Sequence, residues 1–313
     1  YFSFFDIIIE YKRNKYGVMR SFFLHRGACG QLVYKALEAA LAANPDARIV
    51  AFVHAETSTG ARSDAETLAR IAREHGCLTI VDAVTSLGGI PLEVDAWGLD
   101  AVYSGTQKCL SAPPGLSPIT LSERAAAKVS GRKTPVQSWF MDLSLVMAYW
   151  GGESRRSYHH TAPINAVYGL HEALLILREE GIERAWERHR RNHLALRAGL
   201  EALGLRYIVP ESERLPQLNA VAVPEGVDDA RVRGRLLEEY GIEIGAGLGA
   251  LAGKVWRIGL MGHSSRPENI ERCVTALGQV LAAEGLRVGT EEALAEARRV
   301  LEAEAGAPSG DVA

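Results

Sequence analysis

Three short apolar runs separated by helix-length polar segments constrain this chain more than any other feature. Residues 47–54 (ARIVAFVH), 77–81 (CLTIV) and 100–103 (DAVY) each read as a buried strand. Residues 32–43 read as a helix that Asn44-Pro45-Asp46 ends. Ser63-Asp64-Ala65-Glu66 supplies capping chemistry for a helix through His75, with Gly76 just past its end. After Leu87-Gly88-Gly89, a turn and a short helix lead to the third strand. Strand, helix and strand at this spacing predict a parallel α/β sheet, whose ligands bind beyond the carboxyl ends of the strands. Thr57, Asp82 and Lys108 all fall there.

Further along, the rhythm changes. Residues 162–180 and 182–203 read as long helices, the second with Arg and His on its polar face. Residues 207–209, 220–223 and 255–260 read as strands, and 228–240 and 267–284 as helices. That pattern predicts a smaller α+β domain hung on the second long helix. The expected organisation is therefore a partial large domain over 31–184, a small domain over 185–286, and a charged tail over 287–313 whose helix at 290–304 fades into disorder. With 313 residues, 47% of them hydrophobic, the chain can bury two cores.

The beginning is different. Residues 1–16 are rich in Phe, Ile, Tyr, Lys and Asn, whereas the rest is rich in Ala, Gly, Leu, Arg and Glu. The apolar run precedes its basic residues, the reverse of a signal peptide, and is too short to span a bilayer. Residues 1–30 read as atypical, non-native sequence before a truncated domain. They are expected to pack poorly and to add no strand to the sheet.

A net charge of −3 suggests neither a nucleic-acid groove nor a polybasic membrane surface. The four cysteines, Cys29, Cys77, Cys109 and Cys273, are scattered without a CxxC pair. They read as reduced thiols of a cytoplasmic protein rather than a disulfide frame or zinc site.

The chemistry centres on Lys108, which closes Tyr103-Ser104-Gly105-Thr106-Gln107-Lys108, and on Asp82 at the end of the preceding strand. An amine and a carboxylate so placed suit pyridoxal 5'-phosphate, which needs a lysine for covalent attachment and an acid to keep its pyridine nitrogen protonated. Taken singly, each residue is more commonly a surface lysine or a helix cap. Alternation in Val255-Trp256-Arg257-Ile258-Gly259-Leu260 puts Arg257 on the face opposite Trp256 and Ile258. An arginine there could capture a substrate carboxylate or serve a structural ion pair. His54 reads as a satisfied core histidine.

From about Gln31 to Leu286, five blocks stand in order: HAETSTG (54–60), VDAVTSLGG (81–89), YSGTQKCLSAPPG (103–115), YHHTAP (158–163) and KVWRIGLMG (254–262). Together they resemble the class V aminotransferases of the alanine–glyoxylate and serine–pyruvate type. The resemblance implies a type I fold, an incomplete mostly parallel large domain with a smaller α+β domain, and transfer of an amino group from alanine or serine to glyoxylate or pyruvate. It makes Lys108 the cofactor-bearing lysine and proton-transferring base, Asp82 the partner of the pyridine nitrogen, and Val84 a wall of the ring. It places Thr57 and Gln107 beside the cofactor and assigns the substrate carboxylate to Arg257. It implies a homodimer in which Tyr158 and Thr161 reach the partner's cofactor phosphate.

Members of the family also carry an upstream Ser/Gly-rich phosphate turn and an aromatic that stacks on the ring. Gly27-Ala28-Cys29-Gly30 and Phe22-Phe23 are not equivalents. The alternatives are an impaired remnant of such an enzyme, or a lyase or cysteine desulfurase of the same fold, the last needing a thiol on a mobile loop.

Overall fold

The computed structural model describes residues 6–11, 21–25, 31–150 and 157–305. Strands β1 (Asp6–Tyr11) and β2 (Ser21–His25) open the described chain, followed by helix α1 (Gln31–Ala43) and strand β3 (Ala47–Val53). Two short paired strands, β4 (Ala55–Glu56) and β5 (Ala61–Arg62), lead to helix α2 (Ala65–Glu74). Asp64 caps α2 by accepting a 3.0 Å hydrogen bond from the Thr67 amide. Gly76 follows the helix with φ 73°, a conformation that favours glycine. Strands β6 (Leu78–Asp82), β7 (Ala101–Tyr103) and β8 (Ile119–Leu121) complete the sheet, in order β2-β1-β3-β6-β7-β8.

Strands β3, β6 and β7 run parallel, as their apolar runs and the helical crossover require. Pairing Val53 with Asp82, and Asp82 with Tyr103, brings three strand ends level. Val50, Phe52, Val81 and Val102 point into a core closed by Leu37 and Leu41 of α1 and Leu68 and Ile71 of α2. Burying each such side chain contributes about 1.5–3 kcal/mol. The segment after Gly89 is built of turns, not the expected short helix.

The expectation that residues 1–30 add no strand is corrected. β1 and β2 pair antiparallel, and β1 pairs antiparallel with β3 from Ile7 to Tyr11. Runs of Ile and Phe have high strand propensity, and the free edge of β3 offers unpaired backbone groups to such a run. Residues 27–30, the Gly-rich stretch, lie outside the described residues.

Helix α3 (Glu123–Ser130) follows β8 on a Ser122 cap, and the short helix α4 (Leu143–Trp150) precedes the long α5 (Ile164–Glu180). Helix α6 (Ile182–Ala202) leads into the second domain. There strands β9 (Leu218–Ala222), β10 (Gly245–Ala246) and β11 (Val255–Gly259) form an antiparallel sheet in order β10-β11-β9. Helices α7 (Asp229–Tyr240) and α8 (Pro267–Ala283) cover it with α6. Trp256 and Ile258 meet Leu196, Leu200, Val232, Leu236, Ile270 and Leu277 in its core.

The predicted strand at 207–209 is reduced to an isolated bridge between Tyr207 and Val221. Pro210, which has no N–H to donate, stops the ladder from extending. The charged segment is a helix, α9 (Thr290–Ala305), and its Ala293 and Ala297 are fully buried in the small-domain core. Among the described residues no helix is long and apolar enough to cross a membrane.

Candidate active site

Parallel strands deliver their last residues to one side of the sheet, where Asp82 ends β6, the Lys108 turn follows β7 and the Thr57 loop comes shortly after β3. Asp82, the last residue of β6, accepts the Val84 amide at 2.9 Å through Oδ1. Its Oδ2 accepts the phenol of Tyr103 at 2.7 Å. Burial and the adjacent carboxylate push the Tyr103 hydroxyl up to about 12, so it remains a donor at neutral pH. Tyr103 was not found from the sequence, because a half-exposed tyrosine at a strand end carries no motif of its own.

Lys108 stands on the turn that follows β7. Ser104 anchors the start of this segment, its amide donating to Pro118 O at 2.8 Å and its hydroxyl to Ala83 O at 2.9 Å. The buried Thr106 donates its hydroxyl to Pro113 O at 2.6 Å, closing the loop. The Ser111 amide returns to Lys108 O at 3.0 Å. The Lys108 ammonium makes no hydrogen bond or ion pair with another described residue, which leaves it available for chemistry. Gln107 is exposed, and its amide folds across Gly105, where a Cβ would lie 2.7 Å from Oε1.

Arg257 arrives from the other domain. Its Nε donates to Ala246 O at 2.7 Å, and Nη1 to Thr57 O at 3.0 Å. The second bond ties the small-domain sheet to the loop after β4. Nη2 has no hydrogen-bond partner among the described residues. Burial lowers the pKa of this guanidinium while Glu56 opposes the shift, and it stays charged at neutral pH. Arg257 forms no ion pair with another described residue, the structural role that the sequence left open; it makes backbone hydrogen bonds instead.

Tyr158 and Thr161 lie apart from this group. Their hydroxyls are 2.5 Å from each other on the exposed segment before α5. No hydrogen bond joins them to Lys108 or Asp82 among the described residues. Around them Trp139, Phe140, Ile164 and Tyr168 are exposed, and α5 buries none of its residues.

His54 is buried as expected, edge-on to Trp97 at 5.7 Å, but its Nδ1 has no partner. Burial and Arg62 lower it to about 4, so it is neutral. Cys77, Cys109 and Cys273 are free and buried, and Cys29 lies outside the described residues. Burial pushes both Cys109 and Cys273 up to about 12, and Cys109 donates to Thr85 O. None of these three thiols has the exposed, low-pKa character of a desulfurase nucleophile.

A mostly parallel α/β sheet with Asp82 and the Lys108 turn at its strand ends, beside a small antiparallel α+β domain that carries Arg257, has the architecture of the fold type I scaffold. Residues 20–272 match the family model described as aminotransferase class-V. The chain belongs to that family. It is 40% identical over 273 residues to the (S)-ureidoglycine–glyoxylate transaminase of Bacillus subtilis, covering 82% of this chain and 65% of that protein. To the alanine–glyoxylate aminotransferase of Callithrix jacchus it is 42% identical over 230 residues, 73% of this chain and 56% of the relative. Among solved structures, the alanine–glyoxylate aminotransferase of Nostoc sp. superposes with a TM-score of 0.76 at 50% identity, over 79% of this chain and 65% of that one. The chain thus spans about two thirds or less of these relatives.

Proposed function

We propose that this chain carries the site of a pyridoxal-phosphate-dependent transaminase that moves an amino group from alanine or serine to glyoxylate or pyruvate. One observation supports the reading most strongly: Arg257 of the small domain is bonded to the Thr57 loop at the sheet edge where Asp82 and Lys108 stand. The donor set fits the cofactor, with an amine free of partners among the described residues for its aldehyde and a carboxylate oriented at the end of β6 for its pyridine nitrogen. When bound, that cofactor supplies the electron sink for negative charge developing at the substrate's α-carbon.

The chain's own residues do the rest. Asp82, oriented by the Val84 amide and the Tyr103 hydroxyl, keeps the proton on the pyridine nitrogen. Lys108 Nζ would take the proton from the substrate's α-carbon. Arg257 fixes the substrate carboxylate through its unpartnered Nη2, and so orients the α-carbon toward Lys108. Val84 would lie against the ring, while Thr57 and Gln107 would supply polar groups beside it.

The homodimer belongs to the same reading. An exposed apolar surface on α4 and α5, carrying the Tyr158 and Thr161 hydroxyls, is suited to meet a second copy and to offer donors to the partner's cofactor phosphate. The Bacillus subtilis and Callithrix jacchus relatives are both named for glyoxylate, which supports that acceptor. Three free buried thiols agree with a reducing, cytoplasmic setting.

The test is product formation. With added pyridoxal phosphate, L-alanine and glyoxylate should give pyruvate and glycine in equal amounts, with L-serine as the alternative donor. Release of sulfide from L-cysteine, or of ammonia without a 2-oxo-acid acceptor, would overturn the transaminase reading in favour of a desulfurase or lyase.

A further inference from the structure

Helix α6 was expected to present its histidines on a polar face, but His189 is fully buried. Its two ring nitrogens have partners that fix its tautomer. The Gly262 amide can only donate, and it donates to Nε2 at 2.9 Å. The Ala185 carbonyl can only accept, and it stands 2.6 Å from Nδ1. The proton therefore sits on Nδ1, and Nε2 is an acceptor held for one backbone amide. The neighbouring Arg188 donates to Gly262 O at 2.8 Å and Ser265 O at 3.0 Å while paired with Glu180.

Gly262 lies against the lysine turn. Its φ is 53°, and a Cβ there would come 2.0 Å from Ser111 Oγ and 2.8 Å from Cys109 O. Only glycine allows this approach. The next amide, His263 N, donates to Ser111 Oγ at 2.8 Å. Ser111 is the one non-glycine residue with positive φ among the described residues, at 60°. That conformation costs free energy for a residue with a Cβ, and it persists where the surroundings determine it. Here they are Gly262 and His263 from the small domain and the bond from Ser111 N to Lys108 O.

We propose that His189 is a positioning residue for Lys108: it fixes Gly262, and Gly262 with His263 holds Ser111 in the conformation that sets the Lys108 turn. Gly262 follows β11 by only a few residues, so the segment that carries Arg257 also frames the lysine. The amine and the carboxylate reader are thereby kept in one register, although they belong to different domains. This rests on Lys108 being the reactive lysine of the proposed function.

Two isosteric substitutions test it. In His189→Asn the side-chain amide can still donate to Ala185 O but is too short to accept from Gly262. In His189→Gln the carbonyl reaches the place of Nε2 and keeps that bond. Amide hydrogen exchange, measured on the protein without cofactor, should accelerate about tenfold or more at Gly262, His263 and Ser111 in His189→Asn. It should stay near the wild-type rate at these positions in His189→Gln. Covalent capture of added pyridoxal phosphate by Lys108, trapped with borohydride, should slow about tenfold in His189→Asn and stay within about threefold in His189→Gln, since small misplacements of a reacting group are costly.

Unchanged exchange at Ser111 in His189→Asn would overturn the proposal. So would an equal slowing of capture in both variants that merely follows their loss of melting temperature. If the wild-type protein never captures the cofactor on Lys108, the proposed function fails, while the exchange measurement still decides the positioning role.

Discussion

The Tyr103 hydroxyl donates to Asp82 Oδ2 across adjacent parallel strands at 2.7 Å, fixing the carboxylate from the side opposite the Val84 amide. A bond to a charged acceptor contributes roughly 1.5–3 kcal/mol, and partial exposure of this pair reduces that to about 1 kcal/mol. Tyr103→Phe should therefore weaken pyridoxal phosphate binding about fivefold, with the melting temperature nearly unchanged. Titration followed by cofactor absorbance checks this. Wild-type affinity in Tyr103→Phe would show that the bond does not serve the carboxylate's orientation.

Arg257→Lys should bind substrate more weakly than wild type and Arg257→Ala more weakly still. A single ammonium cannot replace a planar guanidinium that spends two donors on Ala246 O and Thr57 O and keeps a third for the substrate. The loss in Arg257→Ala should be about 2–5 kcal/mol in substrate affinity, with cofactor content preserved. Loss of cofactor at normal substrate affinity would make the residue structural.

Three buried histidines, His54, His189 and His193, have pKa values lowered to about 4, chiefly by burial. An unfolded histidine titrates near 6.5, so between pH 6.5 and 4 the unfolded chain binds more protons than the folded one. The stabilisation is complete above pH 6.5 and is lost as pH falls toward 4. Each histidine contributes a slope of up to about 1.4 kcal/mol per pH unit in that window. Urea unfolding at pH 7, 6 and 5 should show stability falling with acidity. His193→Asn, whose side-chain amide takes the place of Nδ1 and can still donate to Asn219 Oδ1, should show a shallower fall; an unchanged slope would assign the acid sensitivity elsewhere.

The surface around α5 should mediate self-association. Tyr168→Arg or Phe140→Glu places a charge among exposed apolar side chains, and either should convert a dimer into monomers in sedimentation. Because the Tyr158 and Thr161 hydroxyls stand on this surface, the same variants should also lose cofactor affinity. A dimer that survives both substitutions would place the interface on another face.

Much of this was legible because strand ends and loops are local. The apolar runs before Asp82 and Lys108 specified two parallel strands, and the strand-end rule then put both residues at one edge. Alternation around Arg257 gave its face correctly, although not its bond to Thr57, which spans two domains. Tyr103 was missed because its partner is set by inter-strand register. His189 was missed because a histidine among arginines looks solvent-facing until tertiary packing buries it. Ala293 and Ala297 carry too little apolar surface to mark a docked helix inside a charged segment. The pairing of β1 with β2 and β3 was not legible because the Ile and Phe runs stand in a segment whose composition differs from the rest of the chain, and only the free edge of β3 gives them a partner.

Lys108 is the centre of the proposed chemistry, and covalent mapping tests it most directly. The protein is incubated with pyridoxal phosphate, reduced with borohydride, digested and sequenced by mass spectrometry. The expected result is one modified peptide labelled at Lys108, and no label in Lys108→Ala. Label on another lysine, or the same label surviving in Lys108→Ala, would contradict the assignment.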